Sequence, residues 1–287
     1  MAGERDGSGS AVVYAIPGME QARARRDVVY TTVDTTALTM DVYHPPDLAG
    51  GDACPAVLYL HGDGPPELLR TIKDSGQYVG WGQLAAASGL IGVTSNHRST
   101  ERWTRLPEAA RDVAELIAYV RAHAAELQID GDRLCLWACS AGLPAALSAV
   151  VRDPPPFVRC IVTYYGVMDL RSARDAIDRA VPDTVLQDYS PLAQMEGSGT
   201  LPPTLIVRAG LDRAQLNATI DRFVLTALAR NAPLEVLNHP SGHHAFDVRD
   251  DDDRSREIIA RTIAFMAYHL STSRVTPGHG SSTPTTL

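Results

Sequence analysis

Residues 134–151 read LCLWACSAGLPAALSAVV. The apolar run that ends at Trp137 gives way to small residues, Ala138, Ala141 and Gly142, around Ser140, and an apolar segment follows at once. The pattern predicts a buried strand, a sharp turn centred on Ser140 and a helix. Placing a serine on such a turn forces its hydroxyl out of the sheet and crowds the backbone, so the flanking positions must be small. The spacing Ala-Cys-Ser-Ala-Gly is that of a Gly-x-Ser-x-Gly elbow with alanine for the first glycine; one added methyl keeps the site small, and the turn is expected to survive. Pro144 lies in the first turn after Ser140, where amides have no intrahelical acceptor, so it costs little.

Outward from this segment the chain shows two rhythms. RDVVYTTV (26–33) and LTMDVYHP (38–45) are short β-branched runs around Asp34-Thr35-Thr36 and predict an antiparallel pair. PAVLYL (55–60), LIGVTS (90–95), RLCLWA (133–138), RCIVTYYG (159–166), TLIVRAG (204–210) and LEVLNH (234–239) are nearly continuous apolar runs, the mark of strands buried on both faces. Helical periodicity fills most of the intervals: 107–127 opens at Pro107-Glu108 and carries a stripe of Val113, Leu116, Ile117 and Val120, and 214–230 and 254–270 behave similarly. The alternation implies right-handed crossovers and an α/β fold, a mostly parallel eight-stranded sheet with helices on both faces. Asp169 to Pro203 is longer than a crossover needs and is expected to form a small cap, about 170–202, beside the carboxyl ends of the strands, where ligand sites of such sheets lie. The organisation is then an N-terminal tail or arm (1–25), one domain (26–270) and a disordered C-terminal tail (271–287) rich in small and polar residues.

Composition narrows the function. With 26 basic and 34 acidic side chains among 287 residues the net charge is −8, which disfavours a nucleic-acid or anionic-membrane surface. Lys73 is the sole lysine and no phosphate-loop motif surrounds it. Cys54, Cys135, Cys139 and Cys160 form no CxxC pair and suggest buried, reduced thiols, hence a cytoplasmic protein with no structural metal. The N-terminal run AVVYAI is too short to span a membrane.

Three further strand ends carry chemistry-bearing residues. LYLHGDGPP (58–66) places a glycine turn after the first long buried strand, where backbone N–H groups can converge on a developing oxyanion. The N–H groups of Asp63, Gly64 and Ala141, the residue after Ser140, are the candidates. TLIVRAGLDRAQLN (204–217) puts Asp212 at the next-to-last strand end, and LEVLNHPSGHHAFDV (234–248) puts His243 and His244 after the last. Each alone has a plain structural reading, since Asp212 could cap a helix and loop histidines are often merely solvated. Together they place a hydroxyl, an acid and a base at one sheet edge.

These residues resemble the α/β-hydrolase superfamily, and within it the esterase and lipase branch with an HGGG-like oxyanion turn. The cues are HGDG (61–64), ACSAG (138–142), YYGVMDL (164–170), AGLD (209–212) and GHHAF (242–246), and the resemblance spans about 26–270. It implies a Ser140–His244–Asp212 triad in the order nucleophile, acid, histidine, with His244 preferred to His243 because it stands two residues before Phe246. Asp169 is the alternative acid. Cys139 is one place early for the cysteine nucleophile of dienelactone-hydrolase relatives and should point into the packing. Asp63 departs from the glycine of the turn; its carboxylate must face away from the oxyanion or meet a cation, for which Arg98 is the candidate. The expected function is a serine carboxylesterase acting on small to medium esters without cofactor or metal; the alternatives are an acyltransferase or peptidase with the same residues, and a non-catalytic binding protein on a hydrolase scaffold. Trp81 and Trp103 are the candidate pocket residues. The expected partners are a small-molecule ester and, at most, a second copy of the chain in a homodimer.

Overall fold

The structure, a computed structural model, describes residues 10–148 and 150–271. The C-terminal tail expected over 271–287 falls, beyond Ser271, outside the described residues. Eight strands, β1 (Arg23–Val33), β2 (Thr36–His44), β3 (Cys54–Leu60), β4 (Ile91–Ser95), β5 (Ile129–Cys139), β6 (Val158–Tyr164), β7 (Thr204–Ala209) and β8 (Leu234–His239), form one sheet in the order β1-β2-β4-β3-β5-β6-β7-β8. β1 and β2 are antiparallel, as is β2 to β4, and the remaining pairs are parallel.

The helices are α1 (Pro66–Leu69), α2 (Gly76–Ala87), α3 (Leu106–Ala122), α4 (Leu143–Ser148), α5 (Asp183–Tyr189), α6 (Pro191–Glu196), α7 (Ala214–Ala229), α8 (Phe246–Arg249) and α9 (Asp253–Ser271). Alternation along each central strand supplies a core on both sides of the sheet. Leu58, Leu136, Ile161 and Ile206 face Val113, Leu116, Leu147 and Phe223 of the helices on one side; Tyr59, Trp137, Val162 and Val207 face Trp81, Leu84, Ile258 and Met266 of α2 and α9 on the other. Between β6 and β7 the chain forms a short 3₁₀ helix, Arg171–Ala176, then α5 and α6. This insert lays Leu170, Ile177, Val181 and Leu186 over Leu106 and Ala109 of α3 and Ala145 of α4.

The N-terminal arm is anchored as well. Val12 is buried, and the Val13 amide donates to the Asp247 carbonyl at 2.8 Å. Lys73 is buried, and its ammonium lies 2.8, 2.8 and 3.0 Å from carboxylate oxygens of Asp27, Asp41 and Asp74. Burial alone would depress its pKa, but the hydrogen bonds to Asp27 and Asp41 outweigh that and hold it above the ordinary lysine value. The three acids therefore surround an ammonium and clamp the β1–β2 pair to the segment before α2.

Candidate active site

The elbow forms where the sequence places it. β5 ends at Cys139, Ser140 has φ of 52°, and Ser140–Gly142 is one 3₁₀ turn leading into α4. A left-handed non-glycine residue costs about 1–3 kcal/mol and persists only where its surroundings over-determine it. The close approach of the HGDG turn does so here. A β-carbon on Gly142 would come within 2.0 Å of the His61 carbonyl oxygen, so that position has no room for a side chain, and one on Gly62 would stand in tight contact at 3.1 Å from the Ser140 β-carbon. Ala138, in the place of the elbow's first glycine, is fully buried and its methyl is accommodated in the core.

Ser140 Oγ lies 2.9 Å from His244 Nε2, and His244 Nδ1 lies 2.5 Å from Asp212 Oδ2. A carboxylate accepts only, so Nδ1 carries the proton and Nε2 is the free lone pair that faces the serine hydroxyl. Main-chain bonds between the last two strand-end loops bring acid and base together: the Gly210 amide donates to the His239 carbonyl at 2.8 Å and the Leu211 amide to the Gly242 carbonyl at 2.9 Å. The second Asp212 oxygen accepts the Arg213 amide at 2.7 Å, and the Asp212 side chain is almost wholly buried at 2 % exposure, whereas His244 is partly open at 31 %. His243 points elsewhere, to Asp250 at 3.1 Å, and is exposed. Asp169 is held by Arg171 and Arg222, at 2.8 and 2.5 Å, away from the histidine.

The carboxylate of Asp63 does turn away, but toward neutral donors. Its oxygens accept the Ser99 hydroxyl at 3.0 Å, the Thr100 amide at 2.9 Å and the Thr100 hydroxyl. Arg98, expected as its partner, instead grips Asp112 of α3 with two nitrogens at 2.8 and 2.6 Å; the buried Asp112 needs a cation, and Asp63 is already satisfied. Asp63, Gly64 and Ala141 line one cavity of about 600 Å³ with Trp103. Trp81 is corrected as a pocket residue: it is fully buried, its ring packed on Tyr59, Trp137 and Tyr164, because α2 lies flat on the sheet with apolar residues all round.

Sequence reasoning missed a support behind His244. Buried Asp247 accepts Trp81 Nε1 and Gln77 Nε2 at 2.9 Å and the Tyr165 hydroxyl at 2.6 Å, and the Tyr165 ring stands 4.7 Å from the His244 ring. Its only local signal was an acid three residues after the histidine; the donors come from two distant elements. Cys139 is buried with its sulfur 3.4 Å from the Tyr78 hydroxyl, and burial pushes its thiol up to about 12, which keeps it protonated at neutral pH.

The fold has solved counterparts. A thermophilic esterase of the Planctomycetes species Thermogutta terrifontis is similar at a TM-score of 0.67 and 19% identity, over 88% of this chain and 94% of that one. The same esterase phosphoramylated by tabun is similar at 0.66 and 19%, over 88% and 97%, and with propionate bound at 0.67 and 19%, over 90% and 98%. No curated protein sequence matches the chain. The family model BD-FAE matches residues 40–210, from β2 through the HGDG turn and the Ser140 elbow to the end of β7. That is more than half of the 287 residues, and the chain belongs to the BD-FAE family, an α/β-hydrolase family.

Proposed function

We propose that this protein is a serine carboxylesterase that hydrolyses small to medium carboxylic esters. The observation that carries the reading is the continuous hydrogen-bonded line from the Ser140 hydroxyl through His244 to the buried Asp212 carboxylate, set on a left-handed elbow at the edge of a cavity. Ser140 Oγ attacks the ester carbonyl while His244 Nε2 takes its proton, and Asp212 steadies the resulting imidazolium. The tetrahedral oxyanion is held by the N–H groups of Ala141, Asp63 and Gly64; one such donor is worth about a hundred- to a thousandfold in rate. His244 returns the proton to the leaving alcohol, and water, deprotonated by the same nitrogen, releases the acid from the acyl-enzyme. The organophosphate adducts and bound propionate of the Thermogutta esterase support the same chemistry and short acyl groups here. The unpaired, buried Cys135, Cys139 and Cys160 support a reducing, cytoplasmic setting. No described helix is long and apolar enough to cross a membrane.

The test is labelling with a fluorophosphonate followed by peptide mapping, together with a nitrophenyl ester series from acetyl to palmitoyl. Label on Ser140 and ester turnover abolished by Ser140→Ala are expected. Undiminished turnover in Ser140→Ala would overturn the assignment, and a chain that takes neither label nor ester would be a binding protein on this scaffold.

A further inference from the structure

Asp63 stands in a turn whose amides face a developing anion, where its own charge would oppose that anion. The carboxylate is instead spent on the loop before α3. Ser99 Oγ, which donates toward Asp63 at 3.0 Å and lies 2.8 Å from the Gly64 carbonyl, also accepts the Glu101 amide at 3.0 Å. Thr100 Oγ1, which donates to the other Asp63 oxygen, accepts the Trp103 amide at 3.2 Å. Glu101, Arg102 and Trp103 have φ of 45°, 58° and 79°, three successive left-handed residues, a run that L-amino acids hold only with outside support.

Trp103 leaves this loop half-buried between two cavities. One, of about 600 Å³, is lined by Asp63, Gly64, Pro65 and Ala141 on the oxyanion side. The other, of about 420 Å³, is lined by Val167, Leu170, Ile177 and Leu216 and lies between the insert and the start of α7, beside Arg213. Trp103 is the one residue common to both linings among the described residues, and it packs against the cluster that holds the insert down.

We propose that Trp103 is the wall that separates these cavities and limits the size of ester the site accepts, and that Asp63 is the positioning residue that locks this wall to the oxyanion turn. The inference rests on the esterase reading. It also explains why a carboxylate is tolerated in the turn: the charge is met by the Thr100 amide and hydroxyl and by the Ser99 hydroxyl.

The experiment compares wild type with Trp103→Ala, Asp63→Gly, Asp63→Asn and Thr100→Val. Trp103→Ala should raise the ratio of kcat/KM for decanoyl over acetyl nitrophenyl ester by about tenfold or more, the range in which a hydrophobic wall discriminates. Asp63→Gly should lower kcat on every ester and move the size ratio in the same direction, and Asp63→Asn, which keeps one accepting oxygen, should restore most of the wild-type ratio. Asp63→Gly combined with Thr100→Val should cost less than the sum of the two single changes, because both remove the bond between the Thr100 hydroxyl and the Asp63 carboxylate. Acrylamide quenching of tryptophan fluorescence reads the wall without turnover. Trp81 and Trp137 are fully buried, so the quenchable emission belongs to Trp103, and it should be more accessible in Asp63→Gly and Thr100→Val. A size ratio unchanged in an active Trp103→Ala overturns the wall; wild-type quenching and a wild-type ratio in Asp63→Gly overturn the lock. If wild type hydrolyses no ester, the esterase reading falls and quenching still decides whether Asp63 holds Trp103.

Discussion

Asp212 gives one oxygen to His244 and the other to the Arg213 amide, so the carboxylate has a single orientation. Asparagine there keeps the shape but can offer its NH₂ to the imidazole and favour the wrong tautomer. Asp212→Asn should therefore lower kcat on nitrophenyl acetate by about a thousand- to ten-thousandfold with little change in KM, measured by steady-state kinetics. Cys139→Ala, one position from Ser140, should leave turnover within a few-fold of wild type. These side chains were legible because each follows a strand end, and strand ends are easy to find in apolar runs. The partners of Asp63 were not. Arg98 was the obvious cation in the sequence, but the donors that reach the carboxylate are Ser99 and Thr100, and that depends on the path of the loop after β4. Trp81 and Trp103 illustrate the same limit, since a tryptophan's identity does not say whether it is enclosed.

At the scale of elements, α2 crosses β2 and β4 at very short range. A β-carbon on Gly82 would lie 2.4 Å from the Tyr43 ring, and one on Gly92 of β4 2.8 Å from the Gly82 backbone. Overpacking of this kind costs about 1–3 kcal/mol, so Gly82→Ala should lower the urea midpoint without changing the slope of the transition. β3 to β7 could be read from sequence because burial on both faces leaves unbroken apolar runs; β8, expected to be buried in the same way, is an edge strand with Glu235, Val236 and Asn238 exposed. α3, α7 and α9 were equally visible through their stripes. α2 buries Tyr78, Trp81, Leu84 and Ala85 on one face, but its other positions are small or uncharged and none is exposed, so no polar face sets off a stripe to read. Within the insert, α5 and α6 are too short for periodicity to build up; α5, with Leu186, packs on α3 and α4, and α6, with Leu192, on α7 and α4, whose proximity no local pattern encodes.

For the whole molecule, stability is bounded in pH by buried neutral groups. The His61 and His97 rings stack at 3.5 Å, and burial holds both below the usual histidine value of 6.5. Below pH 6.5 the unfolded chain gains protons that the native rings resist, so their contribution is present above that pH and declines as pH falls through the native values. On the alkaline side burial raises Cys139 from 9.0 to about 12 and Tyr43 from 10.0 to about 12; the unfolded chain there loses protons first, and stability declines as pH rises from 9 toward 12. The melting temperature should thus be flat between about pH 7 and 9 and fall on either side, as followed by circular dichroism. The order of the sheet was legible only in outline, because which strands neighbour β3 is decided by crossovers and not by the strands themselves. The single lysine has one more consequence. Lys73 is enclosed by three aspartates, so the folded surface offers no ε-amine to N-hydroxysuccinimide dyes, to aldehyde fixatives or to conjugating enzymes. Tagging at that position, read by mass spectrometry, becomes a clock for opening of the first two strands, and its rate in native buffer should track added urea while remaining negligible without it.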